Sequence, residues 1–331
     1  MSNSLQGKKV LYVAPRFFGY EKEIEVELVR RGAEVDFVLD RPFDTPLMKA
    51  ITKVRRDWII SSAERYYSAE LNSLGNKEYD LVFVISGQTL SATTLACWRA
   101  ASPAAKFILY MWDSFANRRS AVDNLHFFDH CFSFDKNDSV KYGLNFRPLF
   151  FSPGFEVAQQ VDPKFDISFV GTAHTDRYAV VSAVRQELGN KVNSFWYLFL
   201  QAKWVFWIYK IINPVFRKAK ISDFNFLSLS KSAVQEIFSS SKAILDIEHP
   251  LQTGLTMRTL EALGSKKKLI TTNSDVSGYD FFSPENICVI DRGFPEIPAY
   301  FLSGSYVDVS PEIYQKYRLE GWMSEILDIA G

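Results

Sequence analysis

The amino-acid sequence predicts an α/β protein made of two doubly wound halves, each a parallel sheet with helices on both faces. Short apolar runs alternate with helical patterns, the alternation is interrupted once by a segment rich in proline and glycine, and it then starts again. The length of 331 residues also fits two domains. We therefore expect domains at 1–150 and 151–310, followed by a helical segment at 311–331, with packing back on the first domain as one arrangement of that segment.

The first half has the pattern of a βαβ unit extended by further strands. Strands are predicted at Lys9–Ala14, Glu34–Leu39, 80–85, 106–112 and 129–134. Helices are predicted at 21–31, at 45–74, and after the turn at 86–89 through Ala101. Gly32 follows the first helix and is a typical helix stop.

A cluster of turn-forming residues at 148–163 predicts a linker, after which the alternation resumes. Strands are expected at 165–170, 243–247, 268–272 and 286–290, and helices at 176–188, 255–263 and 311–329.

Composition and motifs exclude several classes of protein. Lys plus Arg (38) equals Asp plus Glu (38), so the basic excess of a nucleic-acid-binding protein is missing. The cysteines, Cys97, Cys131 and Cys288, form no CxxC pair, which disfavours structural zinc and favours a reducing compartment. Residues 1–9 lack a signal-peptide core, so we expect a cytoplasmic protein. Neither GxGxxG after the first strand nor a Walker A loop is present, which disfavours an NAD-dependent dehydrogenase.

The segment 246–273 is the most informative for chemistry. A strand is expected to end near Glu248, a turn with Pro250 and Gly254 follows, and a helix begins near Thr256. The free N–H groups at a helix start, together with the positive end of its dipole, attract anions. A glycine in the preceding turn lets a phosphate approach the backbone closely.

On this predicted helix, Arg258 and Glu261 are three residues apart and face away from an apolar stripe. An arginine in the first turn can bind a diphosphate, and a glutamate one turn later can accept hydrogen bonds from two ribose hydroxyls. A surface ion pair between the two residues explains the spacing equally well.

The run 253–272 resembles the donor-binding signature of GT-B glycosyltransferases. It is closer still to bacterial proteins of lipopolysaccharide and capsule biosynthesis, through the segments 252–259, 267–273, 111–114 and 169–172 together with Glu261. The resemblance implies two Rossmann-like domains facing a central cleft, a nucleotide-sugar substrate, most simply a UDP-sugar, and no cofactor.

The same resemblance implies roles for residues of the second domain. Glu261 matches the residue that binds the donor ribose, and Gly254, Leu255 and Thr256 match the backbone that meets the diphosphate. Thr253 stands eight positions before Glu261, where many retaining members have an acidic residue. This departure argues against a retaining mechanism of that subtype.

The loop after the strand 165–170 faces the cleft in the resembling family. It supplies further donor-binding candidates in Gly171, Thr172, His174 and Arg177. Arg177 is a candidate diphosphate clamp, and a solvated residue at a helix start is the alternative. His174 is a candidate sugar or phosphate contact, and a loop histidine without function is the alternative.

Catalytic and acceptor-side candidates come from the first half. Asp113 follows a predicted strand, at the sheet edge where open α/β sheets bind ligands, and is our candidate general base for an inverting reaction. An aspartate that caps the following turn is the alternative. Phe18, Gly19 and Tyr20 follow the first strand and are acceptor-side candidates, or else core residues. No convincing metal site is present, because Asp246-Ile247-Glu248 has only the spacing of a metal motif.

The segment 193–220 combines Trp196, Trp204 and Trp207 with a basic end at Arg217, Lys218 and Lys220. Its apolar runs are too short to cross a bilayer, but this composition is typical of a helix that lies on anionic lipid. An ordinary buried helix pair is the alternative.

The expected function is therefore transfer of a sugar from a nucleotide-sugar donor to a bacterial surface glycan, either lipopolysaccharide O-antigen or capsule. The acceptor would be an oligosaccharide or be linked to a lipid, on the inner face of the cytoplasmic membrane. Alternatives are a sugar-nucleotide epimerase and a catalytically inactive binding protein with this fold.

Overall fold

The computed structural model describes residues 4–40, 57–75, 77–156, 162–189, 192–250 and 253–330. The chain divides into two compact units. The first contains the described residues up to Pro148 and those from Leu319 onward, and the second contains Leu149–Arg318. The first part of the helix predicted at 45–74, residues 45–56, lies outside the described residues.

The first unit is built on a six-stranded parallel sheet. Its strands are β1 (Lys9–Ala14), β2 (Glu34–Leu39), β3 (Leu81–Ile85), β4 (Lys106–Met111), β5 (His130–Ser133) and β6 (Asn145–Phe146). The spatial order is β2-β1-β3-β4-β5-β6. Its helices are α1 (Tyr20–Arg30), α2 (Asp57–Ser73), α3 (Ala92–Ala101) and α4 (Lys136–Tyr142). All five side chains of β3 are buried, as expected for a strand covered by helices on both faces.

The second unit contains a five-stranded parallel sheet. Its strands are β7 (Phe165–Thr172), β8 (Ser194–Phe199), β9 (Ser241–Asp246), β10 (Lys268–Thr271) and β11 (Ile287–Val289), in the order β11-β10-β9-β7-β8. The helices are α5 (Arg177–Leu188), α6 (Lys203–Ile212), α7 (Lys231–Ser239), α8 (Met257–Gly264), α9 (Ala299–Ser303) and α10 (Pro311–Tyr317). The first strand of each unit lies between two neighbours reached in opposite directions. That arrangement is the switch point where open α/β sheets bind ligands.

The last helix, α11 (Leu319–Ala330), belongs to the first unit. The ring of its fully buried Trp322 packs edge-on against Tyr110 of β4, with centroids 4.7 Å apart. Arg31 donates hydrogen bonds to the Glu320 carbonyl at 2.6 Å and to Ser324 Oγ at 2.9 Å. These contacts tie the end of the chain to α1 and β4.

Two sequence-based expectations need correction. The single helix predicted at 311–329 is two helices, because Arg318 has an extended backbone (φ −68°, ψ 155°) and its guanidinium pairs with Glu156. The chain divides into its two units between Pro148 and Leu149, within the predicted linker 148–163, and Phe150 and Phe151 of that segment are fully buried; residues 157–161 lie outside the described ranges. The segment 193–220 begins with a strand, β8, where sequence reasoning considered helices only.

The end of α8 allows a stability prediction. A Cβ atom at Gly264 would lie 2.5 Å from Cδ2 of the buried Phe151 ring, so Gly264→Ala should overpack this contact despite the better helix propensity of alanine. We expect a Tm lower by roughly 3–10 °C in thermal unfolding. Gly278→Ala is the matched control, because a Cβ atom there meets nothing within 4 Å. Equal Tm values for the two variants would contradict the packing described for α8.

Candidate functional site

A buried carboxylate holds the start of α8 against the end of β9. Asp246 Oδ2 accepts hydrogen bonds from the hydroxyls of Thr256 and Thr259, both at 2.7 Å. Thr256 is the N-cap of α8, and its hydroxyl also accepts the Thr259 N–H at 3.3 Å. Hydrogen bonds to an ionised, buried group are among the strong ones. The position of the first turn of α8 is therefore fixed relative to the sheet.

On α8, Glu261 is only 2% exposed, and its carboxylate pairs with Arg258 at 2.6 Å. The Arg258 guanidinium also lies over the Phe238 ring of α7, 4.8 Å from the centroid. The ion pair that the spacing allowed is thus formed, but its acidic member is buried and not on the surface. A buried carboxylate needs strong partners, because its removal from water is costly.

The turn before α8 contains the predicted diphosphate contacts. Gly254 and Leu255 are buried, and the Thr253 carbonyl accepts a hydrogen bond from Asn273 Nδ2 at 3.2 Å. Helix α8 begins at Met257, so Thr256 caps the helix from outside its first turn. Gln252, part of the resembling segment 252–259, lies outside the described residues.

The loop after β7 approaches the same edge of the sheet. Gly171 and Thr172 end β7, and Arg177 begins α5. Arg177 Nε donates to the Ile247 carbonyl at 2.8 Å, and Nη1 donates to the Thr172 carbonyl at 3.3 Å. Arg177 is therefore not the solvated residue that the alternative interpretation expected. It joins the carboxyl ends of β7 and β9 beside the switch point.

His174 lies in this loop and is partly buried. Burial, and after it the nearby Arg177 and His249 side chains, lower its pKa to about 4. The His174 and His249 rings are 6.2 Å apart. At neutral pH the His174 imidazole is therefore uncharged and offers one donor and one acceptor.

Arg292 is a site residue that sequence reasoning missed. Its Nη1 donates to both carboxylate oxygens of Asp176, at 3.0 and 2.8 Å, and its Nη2 donates to the Glu248 carbonyl at 3.0 Å and to the Glu248 carboxylate. Thr272 donates to the other Glu248 oxygen at 2.5 Å. Arg292 thus connects residues that follow β7 and β9, and Glu248 extends the network to Thr272 after β10. The sequence signal that could have identified Arg292 is its position just after the predicted strand 286–290.

The carboxylates of Asp246 and Glu248, which have the spacing of a metal motif, are both engaged by protein groups. Over the described ranges, no group of three or more His, Cys, Asp or Glu side chains is arranged to hold a metal ion.

Asp113 follows β4 in the first unit. Its Oδ1 accepts hydrogen bonds from the Ser114 N–H at 3.0 Å and from Asn117 Nδ2 at 2.9 Å, and its Oδ2 pairs with Arg118 at 3.0 Å. The side chain remains partly exposed. Asp113 therefore stabilises its own turn, as the alternative interpretation expected, while its carboxylate stays accessible at the ligand-binding edge of the sheet.

The acceptor-side candidates Phe18, Gly19 and Tyr20 differ in exposure. Phe18 is exposed, Gly19 is the N-cap of α1 with a φ of 81°, and Tyr20 is buried as the first residue of that helix. Only the first two present atoms to solvent beside β1.

Comparison with protein-family models finds no match, and comparison with curated protein sequences finds none either. Solved structures do match. A trehalose-phosphate synthase (UDP-forming) from Burkholderia xenovorans, in complex with glucose-6-phosphate, is 11% identical, with 97% of this chain and 99% of that chain covered and a TM-score of 0.63. HepE from Anabaena, in complex with UDP and glucose, is 11% identical with the same coverage and a TM-score of 0.56.

The lipopolysaccharide outer core galactosyltransferase WaaB in its apo form is 13% identical over 97% of this chain and 98% of that chain, with a TM-score of 0.50. A UDP-N-acetylglucosamine 2-epimerase is also similar, at 11% identity, 98% and 95% coverage and a TM-score of 0.51. These likenesses confirm the predicted GT-B fold over nearly the whole chain.

His174 provides a pH prediction. Its folded pKa of about 4 lies below the unfolded value of about 6.5, so the unfolded state binds more protons between these values and stability falls as pH drops through this window. In NMR titration, the His174 ring resonance should shift with a midpoint near pH 4. His174→Gln identifies the resonance among those of the four histidines. A midpoint near 6.5 would show that the ring is not held in the buried position.

Proposed function

We propose that the protein is a glycosyltransferase that moves a sugar from a nucleotide-sugar donor, a UDP-sugar, to a glycan acceptor without a bound metal ion. The observation that carries the proposal is the buried Glu261 on a helix whose start is anchored by Asp246. A carboxylate in a fixed position, beside a helix start that attracts anions, suits a ribose-diphosphate group.

In this proposal Glu261 accepts hydrogen bonds from the ribose hydroxyls. The backbone from Gly254 to Thr256 meets the diphosphate, and Thr253, Gly171, Thr172 and His174 line the donor site. Arg258 and Arg177 supply positive charge, which stabilises the leaving diphosphate in place of a metal. Support for uridine comes from similar structures, one of which is described as UDP-forming and another as a complex with UDP.

For the acceptor step we propose Asp113 as the general base of an inverting reaction. Asp113 takes the proton of an acceptor hydroxyl, whose oxygen forms a bond to the anomeric carbon while the bond from that carbon to the diphosphate breaks. The nucleoside diphosphate leaves with the electron pair. Thr253, which stands where many retaining members carry an acidic residue, is consistent with inversion.

We further propose that the acceptor belongs to a bacterial surface glycan, either lipopolysaccharide O-antigen or capsule, and reaches the enzyme at the inner membrane. One similar structure, WaaB, is described as a lipopolysaccharide galactosyltransferase, and this description supports the proposal.

The membrane contact would be the outer face of α6. Its exposed apolar side chains are Trp204 (66%), Trp207 (56%), Ile208 (43%), Ile211 (77%) and Ile212 (66%). Phe206, on the opposite face, is buried against Phe224 and anchors the helix. Exposed basic residues follow at Arg217, Lys218 and Lys220. Apolar surface beside basic charge suits an anionic lipid surface. Within the described residues, no helix has the length and apolarity needed to cross a bilayer.

A sugar-nucleotide epimerase is the second candidate, because an epimerase structure shares this fold. It would use the same donor site without an acceptor. An inactive binding protein would bind the nucleotide and change nothing.

Titration calorimetry with UDP, ADP and GDP tests the donor site. UDP should bind the wild-type protein, and Glu261→Gln should weaken binding about tenfold or more, because a lost charge-assisted pair with two hydroxyls costs about 1.5–3 kcal/mol. Glu236→Gln, an exposed glutamate on α7, is the matched control and should bind as the wild type does.

Product analysis with UDP-sugars then separates the candidates. Slow donor hydrolysis without acceptor supports transfer, an isomerised donor identifies an epimerase, and an unchanged donor with intact binding identifies a binding protein. Absence of any nucleotide binding, or equal binding by Glu261→Gln, would end the site assignment.

Liposome flotation tests the α6 surface. The wild-type protein should float with vesicles that contain phosphatidylglycerol and not with neutral vesicles, and high salt should weaken binding. Trp204→Ala combined with Trp207→Ala should reduce the bound fraction several-fold, because interfacial tryptophans lose their lipid contact. Leu227→Ala, at another highly exposed apolar residue of the second unit, is the control. Equal flotation of the wild-type protein, the double tryptophan variant and Leu227→Ala would refute the proposal that α6 contacts the membrane.

A further inference from the structure

Three aromatic rings meet at the carboxyl edge of the first sheet. Phe17 follows β1 and Trp112 follows β4, two strands that β3 separates, yet their ring centroids are 5.5 Å apart. The Phe18 ring stands edge-on to Phe17, with centroids 5.0 Å apart. The cluster therefore spans the end of β3 beside the switch point between β1 and β3, where open α/β sheets bind ligands.

The rings are not core residues. Phe17 is 40% exposed and Phe18 is 66% exposed. Phe18 also has a φ of 52°, in the left-handed region that bulky residues avoid. Glu21 fixes the backbone beside it by accepting the Phe17 N–H at 3.0 Å. This costly backbone conformation leaves most of the Phe18 side chain in water although the ring packs edge-on against Phe17, which points to a ligand as its use.

Polar groups lie at the same edge of the sheet as the rings. Asp113 is adjacent to Trp112 in sequence, and Asn117 and Arg118 are bonded to its carboxylate. In the loop after β3, the buried Oε1 atom of Gln88 has no hydrogen-bond partner among the described residues. A pyranose ring offers an apolar C–H face for stacking and hydroxyls for such polar groups. An acyl chain would use the rings but offer no hydrogen bond to the Asp113 carboxylate or to Gln88.

We infer that Phe17, Phe18 and Trp112 form a stacking platform for a pyranose ring of the acceptor, so that the acceptor group recognised here is a saccharide. The inference rests on the proposed function in one respect, the identification of the bound saccharide as the acceptor. The platform presents the ring of the acceptor beside Asp113, the proposed base.

Saturation-transfer NMR with n-octyl β-D-glucopyranoside, below its micelle concentration, tests the platform. The probe carries a pyranose and an alkyl chain, so transfer to each part is read separately. We expect transfer to the ring C–H protons of the sugar. Phe18→Ala should reduce that transfer about fivefold, the size expected for one lost aromatic contact, and Phe18→Tyr should restore it. Phe294→Ala, an exposed phenylalanine of the second unit, is the matched control.

Transfer confined to the alkyl chain would overturn the inference in favour of a lipid contact. Transfer to the sugar ring that is equal in Phe18→Ala and Phe294→Ala would overturn it as well, as would the absence of transfer to either part. UDP binding, measured on the same samples, keeps the two proposals separate. Bound UDP without sugar contact refutes only the platform, and sugar contact without UDP binding refutes only the donor site.

Discussion

The candidate donor site depends on one carboxylate. Asp246 receives the hydroxyls of Thr256 and Thr259 and so fixes the point at which α8 leaves the end of β9. Glu261 lies on the same short helix, and its buried position is only as well defined as that helix start. A loss of this contact would release the first turn of α8 and the Arg258–Glu261 pair together.

Positive and negative side chains balance each other at this edge of the second sheet. Arg258 is paired with Glu261, and Arg292 is paired with Asp176 and Glu248, while Arg177 donates to backbone carbonyls of Ile247 and Thr172. Among the described residues, Arg177 is thus the arginine of the three whose hydrogen bonds go to neutral acceptors. In the proposed donor site, its guanidinium would therefore offer a diphosphate a charge that is not matched by a bonded carboxylate.

Much of the fold follows from sequence because local signals are strong. The apolar run of β3 and the glycine after α1 predict a buried strand and a helix end, and both are present. The division of the predicted terminal helix could not be foreseen, because Arg318 is extended where it forms a backbone bridge with Phe151 and pairs with Glu156, and no helix-breaking residue stands there. Strand β8 could not be predicted either, because its aromatic residues are compatible with a helix as well as with a strand at the edge of a sheet.

At the candidate site, sequence reasoning identified residues through their spacing on one element, as with Arg258 and Glu261. Arg292 escaped it, because its partners Asp176 and Glu248 lie 116 and 44 positions away in the chain. The burial of Glu261 also depends on tertiary packing. Spacing alone could not separate a surface ion pair from a buried one.

The helix that completes the first unit is synthesised after the whole second unit. Because Trp322 and two partners of Arg31, Glu320 and Ser324, lie on α11, the side of the first sheet near Tyr110 stays uncovered on the ribosome until the whole second unit has been translated. Contacts between residues this far apart in sequence form late and slowly. Translation order therefore leaves the first unit dependent on α11 for its final core, whereas the second unit is complete in sequence before α11 emerges.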